Sequence, residues 1–348
     1  MDVMNPAAAT ITNVEQLEDQ LSCPPAYLVE MMRRLEGDLM VLGVAGKMGP
    51  SLAHLARRAS EAAAVKRRII GVARFSQPRQ RQQLESWGVE TVRCDLLDEK
   101  QLAALPRTPH VIYMAGMKFG ATGQEALTWA MNAWLPGLVC RHFSSSRIVA
   151  FSTGNVYGLC PLSHGGSLES DALHPVGEYA LSCLGRERIF EHFSRSAKLP
   201  LALIRLNYAC ELRYGVLVDL ARKIWADEPI DLTMGYCNVI WQGDASALAL
   251  AALEHAASPP FVLNVAGPEL LSLRQVCRDL AQAMNKPVRF TGTEAADALL
   301  SNGQLGHRLF GYPRVAVQQL LHWIAAWVMA GGPFLDKPTH FESRTGKF

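Results

Sequence analysis

Short apolar runs alternate with helical stretches from residue 38 to residue 207, and this rhythm constrains the fold more than any single motif. "DLMVLGV" (38–44), "RRIIGVAR", "ETVRCDL", "HVIYMAG", "RIVAFST" and "LALIRLN" read as strands. Between them "GPSLAHLARRASEAAA", "EKQLAAL", "EALTWAMNAWLPGLVCRHF" and "EYALSCLGRERIFEHFSR" read as helices. Strands this apolar need cover on both faces, so the alternation predicts an α/β, Rossmann-type, doubly wound parallel sheet. Ahead of it, "NVEQLEDQL" and "PPAYLVEMMRRLEG" read as two short helices, the second with proline in its first turn and Gly37 at its end. Beyond residue 208 the rhythm loosens. The expected organisation is a helical extension over 1–37 and a Rossmann domain over 38–207, rejoined by 237–255. A smaller C-terminal substrate-binding domain takes 208–236 and 256–348.

Composition excludes several classes. The chain of 348 residues is 49% hydrophobic and 19% charged, with a formal net charge of +2, which leaves no electrostatic footprint for nucleic acid. The longest apolar stretch, "LLHWIAAWVMAGGPF", is too short and interrupted to span a bilayer, and the first twenty residues lack a basic region ahead of an apolar core. A cytoplasmic protein without a membrane partner is expected. The eight cysteines form no CxxC pair and the ten histidines no HxxxH spacing, so neither a disulfide frame nor a metal site is expected.

The first predicted strand runs into "GVAGKMG", which places Gly43, Gly46 and Gly49 in a GxxGxxG turn between strand and helix, with Lys47 and Met48 inside it. Such a turn lets backbone amides approach a pyrophosphate at a helix N-terminus, although three glycines there can also serve packing alone. At the end of the second strand no carboxylate is present to take a ribose hydroxyl; Arg74 follows instead. An arginine there suits a 2′-phosphate and so favours NADP(H) over NAD(H); a solvated strand-end residue is the other reading.

Further stretches fall in one order: "CDLLD" (94–98), "AGMKFG" (115–120), Asn132 in "MNAWLPGLV", "FSTGNVYG" (151–158) and "EYALS". In these motifs the chain resembles the extended short-chain dehydrogenases/reductases, in their NAD-dependent epimerase/dehydratase branch, over about residues 38–330. The resemblance implies a nicotinamide cofactor, NAD(P), and hydride chemistry on a small sugar or sugar-nucleotide alcohol, with a homodimer as the common assembly. It implies that the glycines hold the cofactor pyrophosphate and that Asp95 and Leu96 frame the adenine. Ala115 and Gly116 would line the nicotinamide ribose path, and Asn132 would support the cofactor site. Lys118 stands where UDP-galactose 4-epimerases, which read AGLK, place a lysine near the ribose. Thr153 matches the hydroxyl that bonds the reacting oxygen and Tyr179 the proton-transfer tyrosine.

One position departs from the pattern. The family reads YxxxK, in which the lysine bonds the nicotinamide ribose and lowers the tyrosine pKa; here that position is Cys183. A neutral thiol supplies no positive field, and a thiolate would push the phenol the wrong way. Three readings stay open. Lys118, the first candidate, or Arg186 supplies the charge, Arg186 starting about 10 Å up the helix axis from Tyr179. Alternatively the reaction uses a weaker or different base. Alternatively the protein binds a cofactor without turnover, as a regulatory module. In the pocket beyond residue 204, Arg205, Asn207, Arg213, Tyr214, Trp241, Arg308 and Arg314 are candidate cleft residues.

Overall fold

The structure, a computed structural model, describes residues 11–118, 123–337 and 339–346. The last two residues of "AGMKFG", the first ten of the N-terminal extension and the final two of the tail lie outside these.

Seven parallel strands form the central sheet: β1 (Leu39–Leu42), β2 (Ile69–Ala73), β3 (Glu90–Arg93), β4 (His110–Tyr113), β5 (Arg147–Thr153), β6 (Leu201–Leu206) and β7 (Phe261–Val265). Their spatial order is β3-β2-β1-β4-β5-β6-β7. Every residue of β1, β2 and β4 is buried, which explains why these strands read as continuous apolar runs instead of alternating ones. The order reverses between β1 and β4, so the connections after these two strands part and leave a crevice at their carboxyl ends.

Helices cover both faces. Helix α1 (Val14–Leu21) is capped by Asn13, whose Oδ1 accepts from the Gln16 amide at 2.9 Å. Helix α2 (Ala26–Arg34) packs on α3 (Gly49–Ala62), which springs directly from the glycine turn. The stretch predicted as one helix over "EALTWAMNAWLPGLVCRHF" is instead broken. Residues Glu125–Trp129 and Leu135–His142 are α-helical, and Ala130–Trp134 between them is a π turn. The cause is Pro136, which has no amide to offer the Asn132 carbonyl four residues back. The Leu135 amide reaches five residues back to Ala130 instead.

The strand β7 corrects the expected domain division, because it lies in a segment assigned to the second domain and pairs with β6 from Phe261↔Ala202 to Val265↔Leu206. It follows helix Gln242–Ala251, which packs on α3, and it extends the sheet by one strand beyond β6. A second apolar cluster gathers Leu217, Leu220, Trp241, Leu280, Trp323 and Trp327 from the C-terminal part and also takes Leu17 and Leu21 of α1. The apolar stretch near the C-terminus is thus a buried helix, Val317–Met329, and no helix among the described residues is long and apolar enough to cross a membrane.

Candidate functional site

A cleft of 580 Å³ opens at the carboxyl ends of the strands, where the order reverses. Its walls come from the segments that follow β1, β4, β5 and β6, among them Gly43–Gly49, Gly116–Lys118, Thr153 and Asn207. Close approach makes glycine necessary at the turn. Gly43 has φ +83°, and a Cβ there would lie 2.7 Å from the Ala115 amide nitrogen; a Cβ on Gly49 would lie 2.1 Å from the Val44 carbonyl oxygen. The turn presents backbone at the start of the fourteen-residue α3, where amides and dipole favour an anion. Lys47, Arg74, Lys118, Arg186 and Lys337 line the cleft, and no carboxylate is among its lining residues. These features fit a dinucleotide.

Tyr179 is carried into the cleft by the long helix α4 (Gly177–Ala197). Its hydroxyl is within hydrogen-bonding reach of the Thr153 hydroxyl and the Cys183 thiol. Desolvation pushes the Tyr179 phenol well above its ordinary pKa, negative charge on Cys183 would push it further, and Arg186 and Thr153 pull it down. Cys183 itself is wholly buried against Val156 and Tyr157, and burial raises its thiol. It is a packed small residue on the tyrosine's own helix face.

The cation nearest in role to the missing lysine is one turn further on. Residues 179, 183 and 186 fall within about 60° of one another around a helix of 3.6 residues per turn, so Arg186 shares the tyrosine's face. The residue is only 6% exposed. Nη1 donates to the Phe151 carbonyl at 2.8 Å, Nη2 to Asn132 Oδ1 at 2.5 Å, and Nε to the Asn132 carbonyl at 3.4 Å. That last acceptor is the one Pro136 leaves free. Gly116 roofs the guanidinium: a Cβ there would sit 2.2 Å from Nη2. Lys118, the first candidate from the sequence, lies with its Nζ 5.8 Å from the Tyr179 ring centroid, and burial lowers its pKa to about 8. Its charge is felt at Cys183, whereas Arg186 acts on both Cys183 and Tyr179.

Asn132 is fully engaged. Besides Arg186, its Oδ1 accepts from the Met117 amide at 2.8 Å, and its Nδ2 donates to the Met117 carbonyl at 2.9 Å and Ser182 Oγ at 2.9 Å. The side chain therefore fixes the segment after β4 to α4. Ser182 and Phe151 were not singled out in the sequence. Pro136, four residues past Asn132 inside a helical pattern, was the available signal.

Several expected site residues sit elsewhere. Leu96 is buried in the core, and Leu97 reaches the cleft instead; Asp95 turns its Oδ1 onto the Leu97 amide at 3.1 Å. Ala115 packs beneath Gly43, leaving Gly116 at the surface of the cleft. Met48 and Arg74 lie at the cleft wall. Of the later candidates, Asn207 and Tyr214 line the cleft. Arg205 is instead buried in an ion pair with Glu187 at 2.8 Å, and it donates to Tyr157 Oη at 2.8 Å. Arg213 pairs with Glu18 and Glu211, Arg314 with Asp244, Trp241 packs on Trp323, and Arg308 is exposed. Arg205, Arg213 and Arg314 each meet a carboxylate from elsewhere in the sequence, which no local pattern announces. All eight cysteines are unpaired thiols. Among the described residues no group of three or more His, Cys, Asp or Glu side chains could hold a metal.

The profile of the NAD dependent epimerase/dehydratase family matches residues 39–213. No curated protein sequence matches the chain. Among solved structures, UDP-glucuronic acid 4-epimerase from Bacillus cereus in complex with NAD is similar at 18% identity and TM-score 0.68, over 84% of this chain and 99% of that one. The dTDP-glucose 4,6-dehydratase DesIV from Streptomyces venezuelae, with NAD and TYD bound, is similar at 18% identity and TM-score 0.70, over 83% and 96%. A further similar structure is that of a putative epimerase from Burkholderia cenocepacia J2315, at 19% identity and TM-score 0.68, over 85% and 99%. At these identities the likeness is one of fold.

Proposed function

The chain belongs to the NAD-dependent epimerase/dehydratase family, and on that premise we propose that it is a nicotinamide-dependent enzyme acting on a hydroxyl of a sugar nucleotide. The observation that carries the reading is the meeting of the glycine turn, the Thr153–Tyr179 hydroxyl pair and a buried cation at one strand-end cleft. A bound nicotinamide supplies the hydride acceptor or donor. Gly43, Gly46 and Gly49 admit the pyrophosphate to the N-terminus of α3, and Lys47 adds charge beside it. Thr153 orients the reacting hydroxyl, and Tyr179 takes its proton or returns one. Arg186 replaces the absent lysine as the charge that holds the phenolate. It acts through space from beneath Gly116 and leaves the ribose contact to Lys118. The excess of cations over carboxylates in the cleft suits a substrate with its own diphosphate. Exposed Leu127, Trp129, Trp134 and Leu181 on the two helices beside the site support a homodimer, which light scattering on Trp134→Glu tests.

A second reading, binding without turnover, draws on Cys183 next to Tyr179 and on the raised phenol. Fluorescence titration with NADH and NADPH, followed by single-turnover reduction of bound NAD(P)+ by UDP- and dTDP-sugars, separates the two. Reduction in wild type that Tyr179→Phe abolishes supports the enzyme. Tight binding without reduction in wild type, with activity gained in Cys183→Lys, supports the second reading.

A further inference from the structure

Glu18 belongs to α1, ahead of the residues that match the family, yet it holds one arm of an ion cluster that ends at the cleft. Its Oε1 accepts from Arg213 Nη1 at 2.7 Å. The same guanidinium donates through Nε to both Glu211 oxygens, at 3.2 and 3.1 Å, and the Arg213 amide donates to Glu211 Oε2 at 3.1 Å. The side chains of Glu18, Arg213 and Glu211 are 11%, 14% and 1% exposed. A shielded pair of this kind is screened far less than a surface one, and its geometry is fixed by three bonds to one planar group.

Arg213 sits inside a tight turn. The Glu211 amide donates to the Tyr214 carbonyl at 2.9 Å, and the Tyr214 amide donates back to the Glu211 carbonyl at 3.4 Å. Tyr214, Gly215 and Val216 emerge from this turn as cleft wall. The Tyr214 ring receives Lys47, whose Nζ lies 4.2 Å from the ring centroid and donates to the Ala209 carbonyl at 3.0 Å. Lys47 stands between Gly46 and Met48 in the glycine turn. A continuous series of contacts therefore runs from the added N-terminal helix through Arg213 and its turn to the lysine of the glycine turn.

We propose that the N-terminal helix is part of the binding cleft, with Glu18 a positioning residue that holds the 209–216 wall, and through it Lys47, in place for an anionic dinucleotide. The site's ligand class rests on the proposed function; the bracing itself does not. Loss of Glu18 leaves Arg213 paired with Glu211, so the fold survives while the wall loosens. Asp19, its neighbour on α1, pairs with Arg58 at 2.7 Å on α3 and touches no cleft residue, which makes it the control.

The test compares wild type, Glu18→Gln, Asp19→Asn, Lys47→Met and Glu18→Gln/Lys47→Met. Hydrogen exchange reads the Glu211 and Tyr214 amides, and fluorescence reads the NADH dissociation constant. Glu18→Gln is expected to speed exchange at both amides and weaken NADH by about three- to tenfold, an effect that vanishes in the Lys47→Met background because the two residues act in one series. Asp19→Asn is expected to change neither. Exchange unchanged by Glu18→Gln overturns the bracing, whatever the ligand. Faster exchange with unaltered NADH affinity overturns the link to binding, as does equal weakening by Asp19→Asn. Failure of wild type to bind either dinucleotide would count against the proposed function alone, and the exchange result would still decide the bracing.

Discussion

Arg186 and Asn132 are joined twice: the guanidinium donates through Nη2 to the amide oxygen at 2.5 Å and through Nε to the backbone carbonyl at 3.4 Å. The pair exists because Pro136 cannot bond that carbonyl and because the helix brings residue 186 to the face of Tyr179 and Cys183. A cation absent at one turn of α4 is thus present at the next, held rigidly by acceptors on β5 and the π turn.

Gly116 is the roof of this arrangement, so it tolerates no side chain. Gly116→Ala would put a Cβ 2.2 Å from Arg186 Nη2 and 2.9 Å from Asn132 Oδ1, forcing the guanidinium out of a buried network. A loss of about 1–3 kcal/mol in urea unfolding is expected, together with loss of Tyr179-dependent turnover. Gly137→Ala, whose nearest neighbours lie 3.7 Å away, is the contrast and is expected to be neutral or mildly stabilising.

Ligand affinity should depend on pH through two lysines. Burial lowers Lys47 and Lys118 to about 8, and a bound anion favours their charged forms. The protonated protein binds the anion, so affinity is level below pH 8 and falls as pH rises through about 8 to 10. Calorimetric titration of the dinucleotide across that range checks this, and Lys47→Met should flatten part of the slope. An affinity constant from pH 6 to about 10 would contradict the assignment.

Arg74 is exposed at the end of β2 and lines the cleft. If it receives a 2′-phosphate, wild type binds NADPH about tenfold more tightly than NADH, and Arg74→Ala removes the difference. Tighter binding of NADH by wild type would assign the site to NAD, the cofactor in the similar solved structures.

Glu187 and Arg205 answer to stability. Glu187 accepts from Arg205 and from Ser152 Oγ at 2.5 Å, and the two charged side chains are 2% and 6% exposed. Arg205→Met would strand a buried carboxylate and is expected to cost about 3–5 kcal/mol in denaturant unfolding. A loss below about 1 kcal/mol would show that the carboxylate is relieved by water or a proton.

Local features of the site were legible in the sequence and non-local ones were not. The glycine turn could be read because turn, strand and helix are neighbours in the chain, and the sheet because buried parallel strands are continuous apolar runs. The π turn escaped because apolar periodicity runs through it; only Pro136 marked it. Leu97 took the place expected of Leu96 because a one-residue difference in a turn reverses which side chain faces the crevice. Arg205, Arg213 and Arg314 looked like ligand arginines until Glu187, Glu18 and Asp244 came beside them in the fold. Strand β7 was hidden by its place after the segment where the β/α rhythm loosens.

The central claim is that Arg186 supplies the charge that the missing lysine would have given Tyr179. The most direct measurement is the pH dependence of single-turnover NAD(P)+ reduction by a sugar nucleotide in wild type, Arg186→Lys, Arg186→Met and Tyr179→Phe. The phenol must lose its proton to act as base, so the rate rises with pH toward its pKa. Removing a stabilising cation moves that rise to higher pH. Arg186→Met is expected to shift the rise upward by about one pH unit or more and to slow the reaction near neutrality at least about tenfold, with Arg186→Lys between it and wild type. Arg186→Met that keeps the wild-type rate and pH profile, while Tyr179→Phe is inactive, would contradict the claim.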